Sequence, residues 1–554
     1  MSKVFVLGID ALSPVLLARW AEAGHLPNFE RVMEEGQWGP LQSTGEFSSP
    51  QAWPSFMTGV NPGRHGIFSF LQHVPYSYDV EHVTSRNLQA PTVFQMLTEA
   101  GARVASLNIP CTYPVAPLNG VGIADWLCPS IGSPGATYPV ELADKLRRRY
   151  GDYPFHVDIK RHARAGRYGQ ALHNCLEGIR VKQEVGRELY EQGPWDLFAL
   201  VFVETDAAQH YFWHFSDPEH PLYATADRER WGEPILEVYK ALDQVLGEWL
   251  ERLDDDTTLL IMSDHGGAIY NRGQTYIPGL LKHLGLLTER RRASSPLTRP
   301  LRHGIISMGE ALHGALPKQL KMRLYNHPLT RRLVERFFAE SLTANNDWTQ
   351  TRAYSYYWET APWINLAGRE PQGLVAPGAE YEAVRDELIA ALESCIDETT
   401  GEPAVERAFR REEVYSGPCL EYMPDVGIRW NRHITLEGPL RVGGSKPGLL
   451  TERAMDVSGI TGGHDPLGTV ALWGPELPAT TDLAGARIED LTPTILALLD
   501  QPLPEHLEGR PLSDADTVRA TVPKELVCAA RPEGVYNADE ERLVSERLRN
   551  LGYM

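Results

Sequence analysis

The sequence predicts an α/β protein built on a mostly parallel central sheet with helices on both faces. Short, continuously apolar runs rich in β-branched residues recur along the chain, and stretches with the period of amphipathic helices separate them. Such uninterrupted apolar strands are typical of parallel sheets that are buried on both faces. A length of 554 residues allows several domains or one large α/β domain with insertions.

The predicted strands are apolar runs that end in polar or small residues, at 4–9, 104–107, 197–203, 258–262 and 469–473. The predicted helices are amphipathic stretches at 92–100, 170–189, 234–253 and 381–394. Another helix is predicted to begin at Thr492, where a capping hydroxyl precedes Pro493. Because ligands bind beyond the carboxyl ends of parallel strands, polar residues that follow each apolar run are candidate site residues.

One segment departs from this pattern in charge. Residues 281–345 contain 12 Lys and Arg against 4 Asp and Glu, a local charge of +8, whereas the rest of the chain carries −28. We interpret residues 276–345 as a basic, mainly helical lid inserted between two parts of a catalytic core, 1–275 and 346–515. A C-terminal tail, 516–554, follows. The basic segment also suits a solvated surface or a peripheral contact with an anionic membrane.

Composition restricts the classes of function. The net charge of −20 argues against a surface for nucleic-acid polymers. The six cysteines form no C-x-x-C pair, which is typical of a reducing compartment. The apolar run near the start is too short for a secretory signal, and no stretch is long enough to span a membrane. The sequence therefore predicts a cytoplasmic protein.

Candidate site residues follow the predicted strands or lie in glycine- and proline-rich loops; they are Asp10, Ser49, Asp206, His210, Asp264, His265 and His464. Three aspartates, three histidines and a serine are the groups that a two-metal phosphoryl or sulfuryl transfer site requires. Taken singly, each residue also suits a helix cap or a turn. The order and context of the whole set favour a metal site, whereas His65, His214 and His220 are interpreted as structural.

The order of these motifs is similar to that of a known family. Asp10, then SSPQAW and SFMTGVNPGRHGI, then DAAQH, SDHG and GGH resemble the alkaline phosphatase superfamily, most closely its type I phosphodiesterase/nucleotide pyrophosphatase branch with its bacterial phosphohydrolase members. NIPCTYP, FWHFSDPEHPLY, INLAGREPQG and the YSGP and MPDVGI motifs add to the likeness. The resemblance covers residues 1–275 and 350–515. It implies an alkaline-phosphatase-like fold, a metal-dependent hydrolase and an anionic phosphate-ester substrate.

The resemblance also implies roles for the candidate residues. It divides the ligands of two divalent metal ions into Asp206, His210 and His464 at one ion and Asp10, Ser49, Asp264 and His265 at the other. The family's nucleophile stands nine residues before the threonine of T-G-x-x-P-x-x-H-G, here Thr58, which gives Ser49 as nucleophile with Ser48 as its neighbour. The implied mechanism forms a covalent phosphoseryl intermediate that water then hydrolyses. Imidazole-rich ligation favours Zn²⁺ over Mn²⁺.

Two departures from the family bear on substrate binding. Nucleotide pyrophosphatases have a phosphoryl-binding Asn three residues past H-G-I, where this chain has Phe70. Asn108, which follows a predicted strand, is the candidate replacement, although it equally suits a turn before Pro110. The family's Asp-Gly pair is Asp10-Ala11 here, a change that is not expected to disturb the ligand.

The same seven positions also occur in phosphomonoesterases and phosphomutases, so these activities are alternatives. A sulfatase is disfavoured because the serine motif lacks the arginine that formylglycine formation needs. A non-catalytic binding protein is a further alternative from a different class. It is disfavoured because a buried cluster of three carboxylates is costly without cations.

Overall fold

The computed structural model describes residues 2–551 except 46–47, 152, 226, 291–344, 357–360, 452–458, 475–482, 513–518 and 521–534. The strands are β1 Lys3–Ile9, β2 Gln37–Gln42, β3 Leu71–His73, β4 Val80–His82, β5 Val104–Leu107, β6 Gly120–Ile123, β7 Thr137–Tyr138, β8 Leu197–Phe202, β9 Thr257–Met262, β10 Gly266–Ile269, β11 Ala353–Tyr354, β12 Trp363–Ile364, β13 Ile396–Asp397, β14 Val405–Arg410, β15 Val426–Trp430, β16 Leu440–Val442, β17 Gly448–Leu450, β18 Gly462–Asp465, β19 Leu467–Trp473, β20 Leu503–Pro504 and β21 Arg519–Ala520.

The α-helices of the same ranges are α1 Pro14–Glu22, α2 Pro27–Glu35, α3 Ser49–Thr58, α4 Pro62–His65, α5 Val93–Glu99, α6 Glu141–Tyr150, α7 Lys160–Arg164, α8 Tyr168–Tyr190, α9 Glu204–Ser216, α10 Arg228–Trp231, α11 Pro234–Leu250, α12 Ile277–His283, α13 Ala379–Glu393, α14 Leu491–Leu498 and α15 Ala538–Leu551.

A large central sheet has the strand order β2-β19-β9-β1-β8-β5-β6-β7. β1 lies between β8 and β9 and runs parallel to both, and β5 and β6 continue the parallel run. β19, β2 and β7 are antiparallel to the strands beside them. The prediction of a mostly parallel sheet is confirmed; β19 contains the predicted strand 469–473, whereas β2 and β7 were not predicted.

Helices cover both faces of this sheet. The ring of Phe5 packs against Tyr190 of α8 and Trp249 of α11, with ring centroids 5.8 and 4.5 Å apart. On the opposite face Gly8 adjoins Trp53 of α3, because side chains at odd and even positions of a strand point in opposite directions. A Cβ atom added at Gly8 would lie 2.9 Å from that indole, so the close approach of α3 requires glycine here.

The helix predicted to begin at Thr492 begins at Leu491 instead. Asp490 precedes its first turn, and Thr492 lies within α14. The hydroxyl of Thr492 donates to the main-chain carbonyl of Phe56 at 2.5 Å, so it joins α14 to α3 and does not cap its own helix. The prediction of Thr492 as the cap was wrong because a tertiary acceptor satisfies this hydroxyl.

A second hydrophobic cluster comprises residues between Tyr276 and Leu287 and residues of 353–450. Leu280 of α12 is buried in this cluster together with Leu388 of α13 and Val426 of β15. Residues 276–290, the beginning of the predicted basic lid, therefore pack with the segment that follows it in sequence. The rest of the predicted lid, including its proposed membrane-contacting stretch, lies outside the described residues.

The described part of the predicted C-terminal tail contains the helix α15. α15 buries Val544 and Leu548 in the main core, and the guanidinium of Arg547 donates to the main-chain carbonyls of Trp126, Cys128 and Pro129. This helix therefore stabilises the loop that follows β6 through hydrogen bonds to its main chain. Over the part of the chain that the structure describes, no helix is both long enough and apolar enough to cross a bilayer.

Candidate active site

The sheet brings four chain segments to one edge. Ile9 of β1 is paired with Phe202 of β8, and Gly8 is paired with Met262 of β9, so the residues after these three strands emerge side by side. β19 is antiparallel to β9, and therefore the residues that precede β19 lie at this same edge. The predicted site residues Asp10, Asp206, Asp264 and His464 belong to these four segments.

The first candidate metal group combines a helix with the short strand β18. α9 begins directly after β8 and places Asp206 and His210 one turn apart on the same helix face. Oδ1 of Asp206 lies 3.2 Å from Nε2 of His210 and 3.4 Å from Nε2 of His464. The ligand atoms of these three residues lie within 4.8 Å of one another, a spacing that one metal ion can bridge.

The second candidate metal group surrounds Nε2 of His265. Asp264 Oδ2 lies 3.3 Å from this nitrogen, and Asp10 Oδ1 lies 3.5 Å from it. Ser49 Oγ is 3.0 Å from the same nitrogen and donates to Asp10 Oδ1 at 3.4 Å. The two groups adjoin, since ligand atoms of Asp10, Asp206 and His265 also fall within 4.8 Å of one another. All seven predicted residues are thus brought together.

Main-chain acceptors orient two of the imidazoles. Nδ1 of His210 donates to the carbonyl of Gly462, and Nδ1 of His265 donates to the carbonyl of Gly266, both at 2.9 Å. With the proton on Nδ1, the lone pair of Nε2 faces the carboxylates, which is the tautomer that a metal ligand needs. Asp264 Oδ2 is buried and, among the described residues, receives no hydrogen bond. This donor set therefore fits divalent cations.

Burial and mutual repulsion perturb the carboxyl groups of the site. Burial, followed by the charges of Asp264 and Asp206, holds the pKa of Asp10 well above its usual range. Burial and the charge of Asp206 raise the pKa of Asp264 to about 7. The imidazoles of His210 and His464 outweigh burial at Asp206 and lower its pKa. A site that crowds three carboxyl groups in this way gains stability from bound cations.

Ser49 occupies the first position of α3. Ser48 adopts the extended conformation of an N-cap, Pro50 falls in the first turn, and Gly59 ends the helix in the left-handed region. One turn after Ser49, the indole of Trp53 donates to Asp10 Oδ2 at 3.0 Å. Sequence reasoning missed Trp53, although a spacing of four residues on α3 places it on the same helix face as Ser49.

Ala11 adopts a backbone conformation that favours glycine. Its φ angle is 57°, its amide donates to Asp264 Oδ1 at 3.3 Å, and its carbonyl accepts from the side chain of Gln209. Asp10 stays in the site, so the Asp-Ala pair leaves this predicted ligand in place. Gln209, which sequence reasoning did not select, joins the segment after β1 to α9.

The left-handed conformation of Ala11 predicts a stabilising substitution. Ala11→Gly is expected to raise the free energy of unfolding by about 0.5–1 kcal/mol, because glycine adopts a positive φ without steric strain. The matched control is Ala23→Gly, since Ala23 has a φ of −79° and should lose about 0.4–1 kcal/mol. Urea denaturation measures both changes. Equal destabilisation by the two substitutions would contradict the expected strain.

The predicted substrate-binding residue, Asn108, lies at the same edge, directly after β5 and therefore beside β8. Its side-chain carbonyl accepts a hydrogen bond from the hydroxyl of Tyr153 at 3.0 Å. Phe70, which replaces the family's phosphoryl-binding Asn, is buried and packs against Trp126 with ring centroids 5.8 Å apart. Phe70 therefore belongs to the core.

His65 has the structural role that was expected. Its Nδ1 accepts from the amide of Ile67 at 3.2 Å, and its Nε2 lies 3.0 Å from the hydroxyl of Ser55. Burial lowers its pKa to about 3. A neutral imidazole therefore joins α3 to the glycine-rich turn that follows α4.

Comparison with known proteins gives a family and a fold. The family model for type I phosphodiesterase/nucleotide pyrophosphatase matches residues 4–308. No curated protein sequence matches the chain. Phosphonoacetate hydrolase from Sinorhizobium meliloti 1021, solved with phosphonoformate, is 16% identical with a TM-score of 0.51 and covers 90% of this chain and 96% of its own. Murine ectonucleotide pyrophosphatase/phosphodiesterase 5, solved with AMP, is 12% identical with a TM-score of 0.43, and the match covers 90% of this chain and 96% of the murine chain.

Proposed function

The chain belongs to the type I phosphodiesterase/nucleotide pyrophosphatase family and is a phosphoric ester hydrolase, and from this premise we propose that it cleaves phosphodiesters or pyrophosphates with Ser49 as nucleophile between two divalent metal ions. The observation that carries the proposal is the position of Ser49 Oγ, 3.0 Å from His265 Nε2 and 3.4 Å from Asp10 Oδ1. A serine placed among metal-ligand groups is the arrangement that activates a hydroxyl at neutral pH.

We assign Asp206, His210 and His464 to one ion and Asp10, Asp264, His265 and Ser49 to the other. Bound there, the ions would favour the deprotonated form of Ser49 and offset negative charge on the leaving oxygen. Three imidazoles among the ligands favour zinc, with manganese as the alternative.

The reaction proceeds in two displacements at phosphorus. Ser49 Oγ loses its proton and attacks, so that an Oγ–P bond forms while the bond to the leaving oxygen breaks. Water then attacks the phosphoseryl group, the Oγ–P bond breaks, and Ser49 regains a proton. Ser49 suits both steps because it begins α3, where the helix dipole favours the negative charge of the phosphoryl group.

A neutral phosphoryl-binding donor favours a diester over a monoester. We propose that the amide of Asn108 binds a non-bridging oxygen of the substrate, in place of the family's Asn. Lys182 does not add an unpaired positive charge to this neutral donor. Its ammonium lies 2.8 Å from Glu204, both side chains are fully buried, and Glu204 therefore neutralises this lysine. An uncharged amide matches the single negative charge of a diester better than the double charge of a monoester.

A substrate panel tests the proposed reaction. The protein, loaded with Zn²⁺ or Mn²⁺, is assayed with bis-p-nitrophenyl phosphate, p-nitrophenyl phosphate, a nucleoside triphosphate and a glycerophosphodiester. Hydrolysis of the diester with kcat/KM at least about tenfold above that of the monoester is expected from the neutral donor. Preference for the monoester would indicate a phosphomonoesterase or phosphomutase. Absence of turnover, with no bound metal, would indicate a binding protein.

We further propose a cytoplasmic location. Cys111, Cys128, Cys175, Cys395 and Cys419 are buried, and these described cysteines form no disulfide bonds, as expected in a reducing compartment. Each lies in a packed environment and none is needed for the proposed chemistry. Fractionation of cells that produce the protein tests this location.

A further inference from the structure

Asn108 has an unusual backbone conformation. Asn108 directly follows β5, has a φ angle of 62° and is buried. Its main-chain N–H donates to the main-chain carbonyl of Ile123 at 2.9 Å, which fixes the turn against β6. Asparagine tolerates the left-handed region better than most residues do, so this turn accommodates the side chain with little strain.

The side chain of Asn108 is oriented by one hydrogen bond. Tyr153 donates its hydroxyl proton to Oδ1, and in this arrangement Nδ2 is turned away from the tyrosine. Nδ2 is itself buried and finds no hydrogen-bond acceptor among the described residues. A buried donor without an acceptor costs free energy, which a ligand oxygen would recover.

The environment of Tyr153 keeps this donor protonated. Burial raises the pKa of the Tyr153 hydroxyl, and the nearby negative charge of Glu204 raises it further. Glu204 is in turn held by Lys182 on α8. The ring of Tyr153 packs edge-on against Phe155 with centroids 5.0 Å apart. The hydroxyl is therefore a permanent donor on a packed ring.

We propose that Tyr153 is a positioning residue that fixes the amide of Asn108 so that Nδ2 points toward a non-bridging phosphoryl oxygen. This inference rests on the proposed function, in which Asn108 binds the substrate. Tyr153 itself does not touch the reacting atoms and acts only through the orientation of Asn108.

Kinetics of two variants and their combination test the inference. Tyr153→Phe should lower kcat/KM for the diester about tenfold, and Asn108→Gly, which suits a positive φ, should lower it about 100-fold. In the double variant the Tyr153 change should add nothing, because its effect passes through Asn108. Tyr150→Phe is the matched control, since the hydroxyl of Tyr150 contacts Glu184 on α8 at 3.3 Å. This variant should have an unchanged kcat/KM for the diester.

A binding measurement makes the test independent of turnover. Titration calorimetry of inorganic phosphate into the metal-loaded protein should show about tenfold weaker binding for Tyr153→Phe and for Asn108→Gly, with metal content unchanged and the melting temperature lowered by only a few degrees, since each variant leaves one buried polar atom unpaired. Additive losses in the double variant, or full phosphate affinity in either single variant, would overturn the inference. If phosphate binding depends on both residues but no ester is hydrolysed, the inference stands and the proposed function fails.

Discussion

Ser49→Ala is expected to lower kcat by at least about 10³-fold, because loss of a nucleophile removes the covalent route altogether. The substitution deletes one hydroxyl from a buried position at the start of α3 and leaves the aspartate and histidine ligands in place. The protein should therefore fold, and with excess Zn²⁺ it should still bind metal through the three remaining ligands of that ion. Steady-state kinetics on the diester, with metal analysis of the same sample, measures both effects.

Ser48→Ala is the matched control. Ser48 is the N-cap of α3, and its side chain makes no capping hydrogen bond, so its loss should leave most of the activity. Rapid quenching of the native protein during turnover of the diester should show, by mass spectrometry, the phosphoryl group with its remaining ester substituent on Ser49. An active Ser49→Ala variant together with an inactive Ser48→Ala variant would refute the choice of nucleophile.

Asp264→Asn and His464→Ala are each expected to remove metal as well as activity. The ligand atoms of each group lie close together, so loss of one ligand leaves the coordination incomplete. Changes at residues that only hydrogen-bond to the ligands cost about 10–100-fold in metal affinity or activity, and loss of a direct ligand should cost more. We expect metal content to fall from about two ions per chain, in line with a two-metal site.

His25→Ala is the control for these ligand variants, because His25 is exposed and lies between α1 and α2, outside both metal groups. It should retain full metal content. Chelation followed by readdition of Zn²⁺ or Mn²⁺ should abolish and then restore the activity of the native protein. Full metal occupancy in both Asp264→Asn and His464→Ala would exclude these residues as ligands.

Local sequence patterns were sufficient to predict the parallel strands and the polar site residues that follow these strands. The run before Asp10 is apolar at every position, and it becomes β1, buried between two other strands. Asp206 and His210 were selected because they follow the apolar run 197–203, and α9 places them on one helix face, since four residues make about one helical turn. The resemblance to a family then separated Ser49 from Ser48, which composition and periodicity alone do not distinguish.

Features that depend on contacts between distant segments were not predictable in the same way. Tyr153 meets Asn108 only because the chain after α6 returns to the end of β5. Thr492 has the sequence of a helix cap, yet a carbonyl of α3 supplies its acceptor. A single sequence carries no local signal for either partner, since both contacts follow from tertiary packing.

The antiparallel strand β19 also has a consequence for synthesis on the ribosome. Asp10 is translated first and His464 last of the site groups, and β19, which lies between β2 and β9, is translated just after His464. Until then the nascent chain exposes the edges of β2 and β9, which are prone to mispairing. Capture of the ion assigned to Asp206, His210 and His464 should therefore follow translation of residue 464, and chains terminated earlier should need chaperones and remain inactive.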